Sequence, residues 1–299
     1  MDRMRFFRRR AAEEETVTDR QCPACGGERL EVVAQHEVTA VGEYAVTALP
    51  RSAPHRLRLI ALCHTCGLVS DLGARVDDAD HEPADLARAA DLDGALASLR
   101  RAAGEWPALT RVVDAGRLWA HPDRAPLSAT HRHWFTPGVL ARTLRSAGMR
   151  VDAIQLDASG GLLAEVVDGH APDPPFGAEA PVDDEVEAVR SYFARRREAV
   201  LAIRERVRSA AEDGGTPVIW GATPSTIALL DELGPDTPLE AVVDDDPRRI
   251  GQHLLGSGHP VIAPDDTDVK PTLVVRPDLA ATAAAAPAFE AAGRMPDLI

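Results

Sequence analysis

One stretch decides how the chain folds: residues 216–262 read TPVIWGATPSTIALLDELGPDTPLEAVVDDDPRRIGQHLLGSGHPVI. The apolar run at 217–220 predicts a buried strand that ends in a tight turn at Gly221. Thr223 suits an N-cap and Pro224 suits the first helical position, so we expect a helix to begin there. The helix would point its free N-terminal amides at the turn, an arrangement that binds anions such as phosphate.

The same stretch continues into a second expected strand at 239–243 and an acidic turn at 244–247, Asp-Asp-Asp-Pro. Dinucleotide-binding folds place a ribose-binding carboxylate at about this distance, roughly 20 residues after the glycine turn. Thr223 and Thr226 stand where G-x-G-x-x-G has its second and third glycines, so a complete pyrophosphate site is not expected. We predict a Rossmann-like parallel-sheet domain at 216–299, with these substrate- or nucleotide-binding candidates: Gly221, Ala222, Thr223, Ser225, Asp244 and Asp245.

Composition and charge exclude several classes of function. The 299 residues carry a formal net charge of -14, which argues against a nucleic-acid partner because phosphate neutralisation needs a basic surface. No run approaches the ~18 apolar residues of a membrane-spanning helix. The basic start, residues 1–10, is followed by AAEEE instead of the apolar segment of a signal peptide. We therefore expect a cytoplasmic protein without a membrane partner, with a disordered tail at 1–20.

All four cysteines lie in two C-x-x-C pairs, Cys22/Cys25 and Cys63/Cys66, and each pair is followed by glycine. Cysteines of a cytoplasmic protein are more often metal ligands than disulfides. Thiolates at this spacing can converge on one tetrahedral zinc ion, and a site with four thiolates is closed and structural. A redox-active dithiol is the alternative, although neither pair lies in a βαβ pattern. The sequence predicts a structural zinc site in a β-module at 21–75, with strands near 30–33 and 57–62.

A shortened α/β segment is expected at 76–170. Its predicted elements are a helix over 83–103, short strands over 110–113 and 116–119, a helix that begins at Thr136-Pro137, and strands over 151–156 and 162–167. A proline-rich linker follows at 171–182. An alanine-rich helix is expected over 277–292.

A long helix is predicted over 183–215. Val186, Val189 and Phe193 begin a series of apolar residues at three- and four-residue spacing, which indicates a helix packed along a partner element. Packing within the chain is favoured over a homodimer seam. Both arrangements remain compatible with the pattern.

Three groups of motifs, in this order, resemble the sugar C-methyltransferase family, which acts on nucleotide-linked keto-deoxysugars. They are the paired C-x-x-C knuckles with Gly67-Leu68-Val69, the helix start His131-x-x-Trp134-Phe135-Thr136 with Gly160-Gly161, and a C-terminal series at Trp220, Gly221, Ala222, Asp244, Pro247, Gly251, Leu254, Gly256, His259, Pro260 and Ile262. The resemblance implies a zinc module, a central S-adenosylmethionine-binding domain and a Rossmann-like domain that helps to bind the nucleotide-sugar.

The central region departs from this family. A class I methyltransferase has a glycine-rich turn after its first strand, but no two glycines between Cys66 and Trp134 are close enough to form G-x-G. Each βαβ unit needs about 30 residues, so this interval cannot hold the several units that cofactor binding requires. Residues 109–167 resemble the last strands and helix of the family's domain. Binding of S-adenosylmethionine is therefore in doubt.

The family's acid–base residues lie in a Tyr-x-Glu-His run before the aromatic pair. Residues 128–131 of this chain read Ser-Ala-Thr-His, so only His131 matches. His131 is the catalytic candidate, because a histidine can deprotonate carbon next to a ketone. A surface histidine near a helix start is the alternative, and His133 has a weaker claim.

Three functions follow from these observations. The first is a degenerate, zinc-bearing family member that binds a nucleotide-linked sugar and assists a deoxysugar or natural-product pathway, alone, as a homodimer or with a pathway enzyme. The second is an active methyltransferase. The third is a nucleotide-sugar or acyl-CoA binding module, because the strand, turn and Asp-Asp-x-Pro pattern also resembles the N-terminal domain of sugar acyltransferases.

Overall fold

The computed structural model describes residues 20–39, 46–47, 55–72, 86–89, 91–104, 107–121, 131–158, 160–169, 181–266, 269–277, 289 and 296–299. Most of the tail expected at 1–20, most of the linker at 171–182 and most of the alanine-rich helix at 277–292 lie outside the described residues. Within them the fold is mixed α/β with several sheets, one of them parallel.

In chain order the elements are β1 (Leu30–Thr39), β2 (Val46–Thr47), β3 (His55–Cys63), β4 (Val69–Asp71), α1 (Leu92–Ala103), β5 (Ala108–Val113), α2 (Ala115–Trp119), β6 (His133–Trp134), α3 (Pro137–Ser146), β7 (Met149–Leu156), β8 (Gly161–Asp168), α4 (Val182–Glu212), β9 (Pro217–Trp220), α5 (Pro224–Leu233), β10 (Val242–Val243), β11 (His253–Leu254), β12 (Val261–Ile262), β13 (Leu273–Val275) and β14 (Asp297–Leu298).

The first sheet is antiparallel and has the order β1-β3-β4-β6. Its register pairs Leu30 at the start of β1 with Cys63 at the end of β3. The first cysteine pair precedes β1 and the second begins at the last residue of β3, so this register brings the two pairs together. Val69 of β4 pairs with Trp134 of β6, which extends the sheet into the middle of the chain.

A second antiparallel sheet, β5-β8-β7, forms the middle region. Helices α1 and α3 contribute to its hydrophobic core through residues such as Leu92 and Leu140. Cys22, Cys63 and Cys66 belong to the same cluster, so the cysteine pairs lie against the core that supports the middle sheet.

Two of the predicted elements in this region are wrong in type or extent. Residues 116–119 were expected as a strand but belong to α2, because the Asp114 side chain caps the helix by accepting from the Gly116 amide at 2.9 Å. The helix expected over 83–103 begins at Leu92, where Asp91 caps it through the Gly94 amide. In both cases a local aspartate cap decides the conformation.

The parallel sheet has the order β12-β10-β9-β13-β14. In chain order this reads third, second, first, fourth, fifth, the arrangement of doubly wound nucleotide-binding folds. The order reverses between β9 and β13, and α5 follows β9 directly. Thr223 caps α5 and Pro224 opens it, as the sequence predicts.

Helix α4 packs along both halves of the molecule. Val186, Val189 and Phe193 near its start join a cluster with residues of the first sheet, whereas Val200 and Val207 join the core of the parallel sheet. The apolar face of the helix is therefore covered within the chain along much of its length. None of the helices in the described ranges has an apolar stretch long enough to cross a membrane.

Candidate functional site

The two cysteine pairs form the same backbone turn. The Gly26 amide donates to the Cys22 carbonyl at 2.9 Å, and the Gly67 amide donates to the Cys63 carbonyl at 2.8 Å. Gly67 has φ 79, a left-handed conformation that a side chain would strain. Each turn directs two sulfur atoms to the same side, as in a zinc knuckle.

The four sulfur atoms converge on one point. The Sγ atoms of Cys22, Cys25, Cys63 and Cys66 all lie within 4.8 Å of one another. The Cys22–Cys66 and Cys25–Cys63 sulfur distances are 3.6 Å and 3.7 Å. A tetrahedral site with Zn–S distances of about 2.3 Å has its sulfur atoms about 3.8 Å apart, so the cluster fits zinc.

The thiols also influence one another electrostatically. The hydrogen bond with Cys63 is the main reason that the pKa of Cys22 rises to about 12, and burial adds to it. Hydrogen bonds with Cys22 and Cys63 raise the pKa of Cys66, whereas the hydrogen bond with Cys22 lowers the pKa of Cys63. Four adjacent thiolates repel one another unless a cation compensates their charge. A coordinated metal ion supplies that charge and deprotonates its thiols.

The Gly221 turn lies at the carboxyl end of β9, where the order of the parallel sheet reverses. Gly221 has φ 84, and its amide donates to the Val243 carbonyl at 2.7 Å. The Thr223 hydroxyl accepts from the Thr226 amide at 3.3 Å. Among the described residues, the amides of Thr223 and Ser225 have no hydrogen-bond partner. These two donors at the start of α5 are available to a ligand.

Asp244 is engaged within the protein. Its side chain is buried, and Oδ2 accepts from the Ala222 amide at 2.7 Å and from Arg249 Nη1 at 3.1 Å. Oδ1 accepts from the Asp246 amide at 2.8 Å. The carboxylate therefore ties the Gly221 turn to the acidic turn. Asp245 is exposed, and its side chain has no partner in the described part of the chain.

His131 and His133 flank the start of β6. His131 is 8% exposed, so the alternative of a surface histidine is wrong, and its carbonyl accepts from Arg58 Nη2 at 2.7 Å. His133 lies between the Ser70 hydroxyl, 3.0 Å from Nδ1, and the Ala89 carbonyl, 3.1 Å from Nε2. Burial lowers the pKa of His133 to about 4, which keeps its ring neutral at physiological pH.

The predicted ligand-binding and catalytic residues do not share a sheet. His131 adjoins the antiparallel sheet, whereas Gly221 and Asp244 follow strands of the parallel sheet. Residues 128–130, which precede His131, lie outside the described residues.

A cavity of about 690 Å³ was not predicted from the sequence. It lies between α2, α3, α4, the carboxyl end of β7 and the start of β8, and its apolar walls include Trp119, Ile154, Leu156 and Leu162. Gly138 and Ala141 of α3 also line it. No short motif marks this cavity, because each wall comes from a different element.

A scan against protein-family models and a search of curated proteins find no match to this sequence.

Proposed function

We propose that this chain is a zinc-bearing, non-catalytic relative of the sugar C-methyltransferases that binds a nucleotide-linked sugar and assists a deoxysugar pathway. One observation carries the proposal: the Gly221 turn opens at the point where the parallel strand order reverses. Ligands of doubly wound folds bind in the crevice outside the carboxyl ends of the strands at this point.

The start of α5 supplies the anion-binding groups. The Thr223 and Ser225 amides have no partner among the described residues, and the helix dipole contributes roughly half a positive charge at this end. A diphosphate group of a sugar nucleotide is an anion of the kind that helix N-termini bind. Two backbone amides can bind an anion without the full set of glycines in the G-x-G-x-x-G motif. The replacement of the second and third glycines by Thr223 and Thr226 therefore does not prevent binding.

Two residues of the acidic turn have different roles in this proposal. Asp244 has its carboxylate oxygens on Ala222, Asp246 and Arg249, and we assign it to positioning the turn. Asp245 is exposed next to it and can accept a hydrogen bond from a ribose hydroxyl. This assignment retains the ribose-binding carboxylate that the sequence predicts and moves it to the neighbouring residue.

The four cysteines would hold a structural zinc ion. Zinc bound there would neutralise the clustered thiolates and join the two knuckles, and a site with four thiolates has no open position for substrate or water. This supports a role in folding. The chemistry of the protein would then depend on its other sites.

The middle region favours a non-catalytic role. Its described residues form the antiparallel sheet β5-β8-β7 with α1 and α3, and they include no parallel strand followed by a glycine-rich turn. This is the part of the chain that the family resemblance relates to the last strands and helix of a methyltransferase domain. His131, the matching catalytic residue, is buried beside β6.

Calorimetry on the full-length, zinc-loaded protein tests this proposal. The titrants are a dTDP-linked keto-deoxysugar, S-adenosylmethionine and acetyl-CoA. We expect binding of the sugar nucleotide and none of the methyl donor. Tight binding of S-adenosylmethionine, or methyl transfer from labelled donor that His131→Ala abolishes, would establish the active enzyme instead. Selective binding of acetyl-CoA would establish the acyl-CoA module.

A further inference from the structure

The cavity between α2, α3, α4 and β7 has the properties of a small-molecule site. Its volume, about 690 Å³, lies within the range of roughly 300–1,000 Å³ that such sites occupy. Trp119 lies in one wall, and Leu156 at the end of β7 is 61% exposed. An apolar residue of this size remains in contact with water unless a ligand covers it.

The acidic groups at one end of the cavity are already compensated. Glu185 is buried, accepts a hydrogen bond from the Thr136 hydroxyl at 2.6 Å and pairs with Arg142. Asp184 is exposed in the first turn of α4, where the helix dipole favours a negative charge. Neither carboxylate requires a cationic ligand.

The opposite end contains a cation without a counter-charge. Arg195 donates from Nε to the Ser191 carbonyl at 3.2 Å and from Nη2 to the Trp119 carbonyl at 3.3 Å. Both acceptors are neutral, and no carboxylate pairs with this guanidinium among the described residues. Nη1 is left for a further acceptor at the rim of the cavity.

The length of the cavity follows from α4. Asp184 and Arg195 are eleven residues apart on this helix, which corresponds to about 16 Å at 1.5 Å per residue. A ligand with its charge at Arg195 would extend along the apolar surface of Ile154, Leu156 and Leu162. A second negative charge at its far end would meet Asp184, so one acidic group is favoured.

We propose that this cavity binds an elongated apolar monocarboxylic acid, with its carboxylate on Arg195 and its chain along the end of β7. The site is separate from the Gly221 turn, and a sugar nucleotide is too polar for its walls. The inference therefore goes beyond the nucleotide-binding function and does not depend on it.

Octanoate, octanol and octylamine are matched probes for the full-length protein, because they share an apolar chain and differ in the charge of the head group. Binding is followed by calorimetry. We expect octanoate to bind more tightly than octanol, and octylamine to bind most weakly. Arg195→Gln should weaken octanoate binding about tenfold, the effect of losing a hydrogen bond between charged groups, and leave octanol binding unchanged.

Two variants control for structural effects. Arg208→Gln removes an exposed guanidinium from the same helix outside the cavity and should change neither ligand. Ala188→Trp adds bulk at an exposed lining position and should remove binding of both octanoate and octanol. Three results would overturn the proposal: no probe binds, octylamine binds as tightly as octanoate, or Arg195→Gln and Arg208→Gln have the same octanoate affinity.

Discussion

The Cys63–Cys66 knuckle and the Gly221 turn are both tight turns that contain a glycine with positive φ, but their side chains are used differently. The four sulfur atoms point at a common centre and compete for protons. The Asp244 carboxylate already has three protein donors. Side chains that converge on one point and lack enough hydrogen-bond or charge partners in the protein indicate a site for an external ligand. A side chain whose partners all lie in the protein, such as the Asp244 carboxylate, instead has a structural role.

Loss of one cysteine of the cluster should have the largest effect. Cys63→Ser removes a buried thiolate from the cluster, and structural zinc contributes roughly 10–16 kcal/mol to small zinc domains. We expect the wild type to contain one zinc ion per chain and the variant to contain none and to lose the ordered packing of the first sheet, as measured by metal analysis and near-ultraviolet circular dichroism. Thr65→Ala, in the same knuckle, should keep one zinc per chain. A Cys63→Ser protein with full zinc content and unchanged melting would contradict the metal assignment.

The second-largest effect is a pH dependence of the free energy of unfolding, which comes from His133. The folded pKa of His133, about 4, lies below its unfolded value, so the unfolded chain binds more protons between these values. The contribution to stability is complete above pH 6.5 or so and is lost as the pH falls towards 4. Urea unfolding at pH 7.5 and pH 5.5 should give a smaller difference for His133→Gln than for the wild type. An equal difference in both proteins would show that His133 is not buried and neutral in the folded state.

Substitutions of Asp244 and Asp245 should have different effects, the first on stability and the second on ligand affinity. Asp244→Asn replaces one carboxylate oxygen, which now accepts hydrogen bonds, with an NH2 group that can only donate. The conflict with the protein's own donors should lower the free energy of unfolding by about 1–3 kcal/mol. Asp245→Asn should leave stability unchanged and weaken sugar-nucleotide binding. Chemical unfolding and calorimetry measure the two effects. The assignment is wrong if Asp245→Asn unfolds at lower denaturant than Asp244→Asn, or if only Asp244→Asn weakens binding without loss of stability.

The sequence predicts features that depend on neighbouring residues. The knuckles follow from two cysteines and a glycine within five positions, and the start of α5 follows from Thr223 and Pro224. The same reasoning missed α2, although Asp114 is a good N-cap, because the apolar residues Leu118 and Trp119 favoured a strand.

Features that combine distant residues were not predictable. Asp244 looks like a ligand in the sequence, and its bond to the Ala222 amide exists only because β9 and β10 are adjacent and parallel. The cavity at Arg195 needs three helices and two strands to come together. Single-sequence patterns contain the caps and spacings but not these long-range partners.

Substitution of Ser225 tests the proposed nucleotide site most directly. Ser225→Asp places a carboxylate beside the amides at the start of α5, where it stabilises the helix but excludes an anionic ligand. Ser225→Asn is the matched neutral control. For calorimetric titration with dTDP, we predict that the Asn variant binds like the wild type and that the Asp variant loses at least about tenfold in affinity, consistent with like charges at close range. Equal dTDP affinities for the two variants would contradict binding at the Gly221 turn.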